Sequence, residues 1–376
     1  MHIAVITTTR ADWGLLSPVA RELMFRGAEV SIIAANMHFV SELGLTYKEI
    51  EEDGFQIAAS IYPGNTPAET AAKTLKGVYD ALSDLKADVA LILGDRYEAL
   101  AAAQGAVLAH VPIVHIAGGV ISEGAFDDSF RHAITKLSRL HLVETDEYRR
   151  RVIQMGEQPD SVIVTGAIGL HNLLEAPVMP KSQLEESLEF SIGNNCLLTT
   201  MHAATLSKLP AVQQIENLID ALEIVDDCQV IFTYPNNDTD PQPLIRMIEA
   251  FALRNRQRVR AIPSLGMSRY AAALHYVKGV VGNSSSGIVE APSAGVPTLD
   301  IGIRQKGRTA APSVIHCGES AEEIAEGIRK ILSPDIQTLA AKKMNPYYRP
   351  DTLNIICDSI LNYPFSTLPP KKFTDL

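Results

Sequence analysis

Short runs of β-branched and aliphatic residues alternate along this chain with longer amphipathic segments, beginning at once with Ile3 to Thr7. Further runs follow at Val30 to Ala34, Val89 to Leu93, Ile113 to Ile116, Leu140 to Glu144 and Val162 to Val164. Short apolar runs separated by helix-period segments predict βαβ units and a parallel sheet covered on both faces. A polar, proline-containing stretch from Ala176 to Ser191 interrupts the alternation, which then restarts at Leu197 to Thr200, Val230 to Tyr234, Val259 to Ile262, Gly279 to Val281 and Thr298 to Ile301. The pattern therefore predicts an α/β protein of two Rossmann-like domains in tandem, residues 1–168 and 169–350, with the boundary falling near 168–192. Residues 351–376 read as a C-terminal helix and tail that pack back on the first domain. Right-handed crossovers bring the C-terminal ends of each sheet's strands to one edge, so the ligand site is expected in a cleft between the domains.

Composition narrows the function classes. The chain has 376 residues, 46% of them hydrophobic, with a formal net charge of −11, and its mean hydropathy is +0.07. No apolar run is long enough to span a bilayer. The start, Met1-His2-Ile3-Ala4-Val5-Ile6-Thr7, enters a strand with no charged segment, apolar stretch or small-residue cleavage site before it, so a cytoplasmic protein is expected. The acidic balance disfavours nucleic acid and anionic membranes as partners. An anionic ligand would instead need a local group of arginines. Cys196, Cys228, Cys317 and Cys357 are far apart and lack paired spacing, which suggests neither a disulfide framework nor a metal site.

Candidate chemistry gathers where predicted strands give way to helices. Val281-Gly282-Asn283-Ser284-Ser285-Ser286-Gly287-Ile288-Val289-Glu290 places three hydroxyls and a glycine at such a turn. Free N–H groups in the first turn of a helix attract a diphosphate, and serines add short donors. Glu290, a pure acceptor, would suit the paired hydroxyls of a ribose. Serine caps are also ordinary helix chemistry, and the stretch alone supports both readings. After the first strand, Arg10 is placed either to neutralise a phosphate or to pair with Asp12. That loop has no Gly-x-Gly-x-x-Gly, which disfavours a dinucleotide cofactor. Asp95 ends another strand and reads as an edge carboxylate or an N-cap.

The segment from His115 through Glu123, Asp127 and Arg131 to His132 crowds titratable groups around a glycine-rich loop, the raw material of proton transfer. Asp127 and Arg131, four apart, also fit a plain surface ion pair. In the second half, His202 leaves a strand toward the ligand edge and is the best-placed acid/base histidine, with a satisfied core histidine as the alternative. Asn236, Asn237 and Asp238 follow another strand and suit sugar hydroxyls or an Asx turn. Arg304, Lys306 and Arg308 cluster after a strand, which in so acidic a chain suggests phosphate contact.

With these residues in view, the chain resembles the hydrolysing UDP-N-acetylglucosamine 2-epimerases of sialic-acid-type sugar synthesis. The resemblance runs over nearly the whole chain: the Thr-Arg-Ala-Asp start, Gly94 to Glu98, Arg131 to Lys136, Tyr234 to Thr239, Gly282 to Gly287 and Arg304 to Arg308. It implies a GT-B-like pair of Rossmann domains, UDP held mainly by the second, and no metal or redox cofactor. The implied reaction removes the C2 proton as UDP leaves C1, giving a glycal, and then adds water to release N-acetylmannosamine. Asp95, Asp127, Arg131 and His202 match catalytic positions of the family. Ser284, Ser285, Ser286 and Arg10 match diphosphate contacts and Glu290 the ribose contact, with Asn236, Asn283, Gly287, Arg304 and Arg308 completing the expected substrate-binding set. Homodimers or homotetramers are implied as well.

Two departures stand out. Many members carry Glu or His at the position of Ala117, and Glu is common at the position of Val120; either Glu123 supplies the missing carboxylate or the activity is altered. Ala203 replaces the usual proline after His202. UDP-N-acetylglucosamine is the expected substrate, with a UDP-diacetamido-trideoxyhexose next. A GT-B glycosyltransferase and a UDP-sugar-binding protein with weak or lost catalysis are the rival readings.

Overall fold

The computed structural model describes residues 1–123, 127–204, 206–236, 240–367 and 371–375. It divides into two compact units, one formed by Met1–Val120, Phe126–His171 and Arg349–Leu376, the other by Ile121–Ala125 and Asn172–Tyr348.

In the first unit the strands are β1 (His2–Thr7), β2 (Glu29–Ala35), β3 (Ile57–Ile61), β4 (Val89–Leu93), β5 (Ile113–Ile116), β6 (Leu140–Val143) and β7 (Val162–Val164). They form one parallel sheet in the order β3-β2-β1-β4-β5-β6-β7. Ala4, Val5, Leu91 and Val114 are fully buried, as expected of strands covered on both faces. One cover is the helix Arg10–Phe25, capped by Thr9 in a reciprocal box with Asp12. Trp13 on this helix meets Phe55 edge to face at 5.1 Å and donates its indole N–H to Asp53 at 2.7 Å. Against the same helix lies Thr352–Asn362, whose Ile356, Cys357 and Ile360 share a core with Ile3, Leu16 and Leu23.

The second unit repeats the plan with β8 (Cys196–Thr200), β9 (Gln229–Thr233), β10 (Val259–Ile262), β11 (Gly279–Gly282), β12 (Thr298–Ile301) and β13 (Val314–Cys317). All are parallel, in the order β10-β9-β8-β11-β12-β13. No helix among the described residues is long and apolar enough to cross a membrane.

Three features differ from the pattern reading. Strands β3 and β13 are both outermost in their sheets; an edge strand faces solvent on one side and carries small or polar residues that weaken its signal. The first unit extends to His171, and Ile121 to Glu123 go with the second unit. There the Glu123 N–H donates to the Lys306 carbonyl at 3.1 Å, and its carboxylate pairs with the Lys306 ammonium at 2.8 Å. The helix that the serine stretch opens stops at Val289, one residue short of Glu290, and a new turn begins at Ala291 with Pro292 in its first turn.

Strand order fixes where a ligand belongs. In an open parallel sheet, ligands bind beyond the strand C-termini where the order reverses. That switch lies between β1 and β4 in the first unit and between β8 and β11 in the second. The loops leaving these four strands carry Arg10, Asp95, His202 and Asn283 to Ser286, respectively.

Candidate active site

At the second unit's switch point, β8 and β11 run side by side with Gly282 opposite Thr200. Gly282 has φ +137°, and a Cβ there would lie 1.9 Å from the Thr200 carbonyl oxygen, so only glycine fits. This close approach brings Asn283 under the loop from β8. The buried Asn283 side chain accepts the His202 N–H at 2.8 Å and donates to the His202 carbonyl at 2.8 Å. Its own carbonyl accepts from Arg304 at 3.1 Å and from Gln305 at 2.8 Å. One residue thereby locks the histidine loop to the basic loop. The His202 ring is fixed in turn: Nδ1 accepts the Asn236 N–H at 3.0 Å, which in a neutral ring leaves the proton on Nε2. Asn237 and Asp238 lie outside the described residues.

Ser284 caps the short helix Ser285–Val289 by position, but its hydroxyl lies 3.0 Å from that of Ser286 rather than on the backbone. In that first turn the Gly287 N–H donates to the Ser284 carbonyl at 3.2 Å, whereas the N–H groups of Ser285 and Ser286 precede any helical carbonyl. Gly287 packs against β12, where a Cβ would meet Thr298 Cγ2 at 2.8 Å. Burial raises the Glu290 carboxyl from 4.5 to about 7, with the neighbouring Tyr270 hydroxyl pulling it down. Past the end of β12, Gln305 Oε1 and Arg308 Nε are buried with no hydrogen-bond partner among the described residues. Buried polar atoms left in this state are suited to meeting a polar ligand.

At the first unit's switch point the dominant group is Arg131, only 1% exposed. Its Nε donates to Asp95 at 3.1 Å, a second and shorter bond to Asp95 comes from Nη2, and Nη1 donates to Asp128 at 2.5 Å and to the Val120 carbonyl at 2.9 Å. A buried guanidinium with two carboxylates is held because losing one partner strands a charge, at a cost of about 3–5 kcal/mol. Asp127 opens the helix Asp127–Leu137, and the adjacent Asp128 pairs with Arg131. His115 on β5 is fully buried, its Nε2 2.8 Å from the Gly94 carbonyl and its Nδ1 3.4 Å from the Thr135 hydroxyl. Burial lowers it from 6.5 to about 4, so it stays neutral at physiological pH.

Arg10 bonds Glu49 at 2.9 Å with its side chain 68% exposed, while Asp12 is taken up by Thr8 and Thr9. Such a surface pair is worth only about 0–1 kcal/mol, so a phosphate would recruit the guanidinium at little cost. Ala117 sits in the left-handed region, with φ +68°. Among the described residues, an open pocket of about 750 Å³ elsewhere in the first unit is lined by Phe39, Tyr47, Phe55 and Tyr62; it includes none of these candidate groups.

Asp128, Tyr270 and Gln305 were absent from the sequence-based site. Asp128 adjoins a residue that was chosen, and the acidic pair at the helix start was its available signal. Tyr270 and Gln305 reach the site only through tertiary packing.

Two parallel Rossmann-like sheets with polar switch points, one lined by serines at a helix start, define an α/β nucleotide-binding class. More particularly, the chain belongs to the UDP-N-acetylglucosamine 2-epimerase family, whose model it matches over residues 22–361. It is 34% identical over 320 residues, 83% of each chain, to the GDP/UDP-N,N'-diacetylbacillosamine 2-epimerase (hydrolyzing) of Campylobacter jejuni. It is 32% identical over 360 residues to the polysialic acid biosynthesis protein P7 of Escherichia coli, covering 93% of this chain and 91% of that one. Among solved structures, its fold is similar to that of the Neisseria meningitidis UDP-GlcNAc 2-epimerase bound to UDP-GlcNAc, with a TM-score of 0.81 at 20% identity, covering 96% of this chain and 100% of the other.

Proposed function

We propose that the protein is a hydrolysing sugar-nucleotide 2-epimerase that converts UDP-N-acetylglucosamine and water into UDP and N-acetylmannosamine. The observation that carries this reading is the Asn283 clamp, which joins the His202 loop and the basic loop beside the serine turn. In the proposed mechanism a base takes the C2 proton, the C1–O bond breaks with its electron pair leaving on UDP, and a C1=C2 glycal remains. Water then adds its oxygen to C1, and a proton returns to C2 on the opposite face, inverting that centre. Ser284, Ser285 and Ser286 with Arg10, Arg304 and Arg308 would stabilise the departing diphosphate. Glu290 would accept the ribose hydroxyls and Asn236 would contact the substrate. Asp95 and Asp127 would serve the proton transfers, Arg131 would hold Asp95 in place, and His202 Nε2–H would face the departing or entering oxygen. Glu123 would supply the carboxylate that Ala117 and Val120 lack, and its partly exposed pairing with Lys306 leaves it free to exchange partners. Assembly as a homodimer or homotetramer in the cytoplasm belongs to the same proposal.

A second reading keeps the reaction and changes the sugar. The 34% identity to the Campylobacter jejuni protein supports a UDP-diacetamido-trideoxyhexose as the alternative substrate. A proton NMR time course in deuterated water tests both. UDP release with a free sugar deuterated at C2 is expected from one of the two substrates. UDP-sugar binding with turnover of neither would refute the proposal and favour a non-catalytic binding protein.

A further inference from the structure

The helix Asp127–Leu137 carries Arg131, yet its C-terminal end is held by a group from far along the chain. The Lys371 ammonium donates to the carbonyls of Lys136 at 2.8 Å and Ser138 at 2.6 Å, lies 3.3 Å from that of Thr135, and is 2.7 Å from the Glu157 carboxylate. Carbonyls in the last turn of a helix lack intrahelical partners, and a cation there satisfies several at once and complements the negative end of the helix. Neighbouring contacts fix the segment that delivers it. The Thr374 N–H donates to the Gly156 carbonyl at 3.0 Å, and the Phe373 ring lies 4.9 Å from the Lys136 ammonium. Lys136 itself bonds Glu157 at 2.6 Å and the Met155 carbonyl at 2.9 Å.

Thr135 ties this end of the helix to the chemistry. Its carbonyl faces Lys371, and its hydroxyl lies 3.1 Å from the Arg131 carbonyl and 3.4 Å from His115 Nδ1. We propose that Lys371 is a positioning residue for the epimerase reaction, its ammonium seated in this cage so that the helix presents Arg131 to Asp95 in register. The inference rests on the function proposed above. Without the ammonium, the last turn loses its anchor and the Arg131–Asp95 alignment relaxes, while the nucleotide-binding turn of the second unit is untouched. Effects should therefore fall on turnover and not on affinity. Oxygen ligands of this kind also accept small free cations, so an alkylammonium ion should refill the cage once the side chain is removed.

The test compares parent, Lys371→Ala, Lys371→Met and the adjacent control Lys372→Ala, all at full length, by UDP release and by UDP titration calorimetry. For Lys371→Ala, kcat is expected to fall roughly tenfold, with KM and the Kd for UDP within about twofold of the parent. Methylammonium chloride should restore kcat in Lys371→Ala, whereas tetramethylammonium at equal ionic strength, too bulky for the cage, should not. Lys371→Met, which keeps the aliphatic stem and fills the space, should lose the same activity and resist rescue; it also carries the test if Lys371→Ala fails to fold. Parent-like kcat in both variants, equal rescue by the two cations, or loss of UDP affinity in step with kcat would each overturn the proposal. A parent that releases UDP from neither UDP-sugar would overturn the functional reading, and this assignment with it.

Discussion

Asn283→Ala offers the sharpest test of the site. The substitution removes a buried side chain that makes two 2.8 Å hydrogen bonds to the His202 backbone, while the Asn283 carbonyl, which receives Arg304 and Gln305, remains. At about 0.5–1.5 kcal/mol for each bond, the loss is roughly 1–3 kcal/mol. If that energy holds His202 in its working position, kcat/KM falls by about 5- to 150-fold, since each 1.36 kcal/mol is a factor of ten. His202→Ala, which removes the proposed acid/base group itself, should cost about 10²–10⁴ in kcat. The double variant decides the matter, because residues acting through one group are not additive. Asn283→Ala should add almost nothing in the His202→Ala background. Steady-state kinetics on the four proteins, with circular dichroism to confirm folding, complete the cycle. Independent losses that sum in the double variant would refute the claim that Asn283 acts through His202, and parent-like turnover by His202→Ala would refute the catalytic assignment.

Three further outcomes follow from the geometry. Glu290 is raised from 4.5 to about 7 by burial, so its stabilising contribution is complete below pH 4.5 and is lost as pH climbs through 7. Ribose hydroxyls favour the carboxylate form, so affinity for UDP-N-acetylglucosamine should strengthen between pH 6 and 8, as read by calorimetry, and Glu290→Gln should flatten that dependence. Burial alone would raise Glu157, but hydrogen bonds from His141, Lys136 and Lys371 lower it from 4.5 to about 2. Its stabilisation, on the order of 3 kcal/mol, is therefore present above pH 4.5 and lost as pH falls toward 2. Urea denaturation at pH 7 and pH 3 should find Glu157→Gln destabilised far more at the higher pH. Gly282→Ala forces a Cβ to within 1.9 Å of a backbone oxygen and should lower the thermal midpoint by several degrees or abolish soluble expression; an unchanged midpoint would mean that the two strands do not approach so closely.

Much of this was legible from the residues. Strands buried on both faces announce themselves by unbroken β-branched runs, and Ile3 to Thr7 or Val89 to Leu93 needed nothing more. Strand β3 was missed because Ala-Ala-Ser within Ile57–Ile61 interrupts its β-branched run, a composition that an edge position tolerates. Loop positions after strands were also readable, since topology alone sends Asp95, His202 and Ser284 to strand C-termini. Pairing was harder. Of the described carboxylate partners of Arg131, Asp128 lies within helical reach, but Asp95 is 36 positions distant, and helical spacing says nothing of it. The same limit hid Tyr270 beside Glu290 and Lys371 beneath the helix end.

The first unit's dependence on Thr352–Asn362 also bears on synthesis. Ile356, Cys357 and Ile360 fill a core shared with Ile3 and Leu23, but they leave the ribosome only after all of Asn172–Tyr348. At about 5–20 residues per second, that interval is roughly 10–35 s. Throughout it the amino-terminal sheet and the helix Arg10–Phe25 wait with part of their apolar surface uncovered, whereas the second unit is complete as soon as Tyr348 emerges. A nascent chain halted after Tyr348 has emerged, with Thr352–Asn362 still inside the ribosome, should thus be recognised by chaperones through its oldest portion, while its second unit should already resist protease.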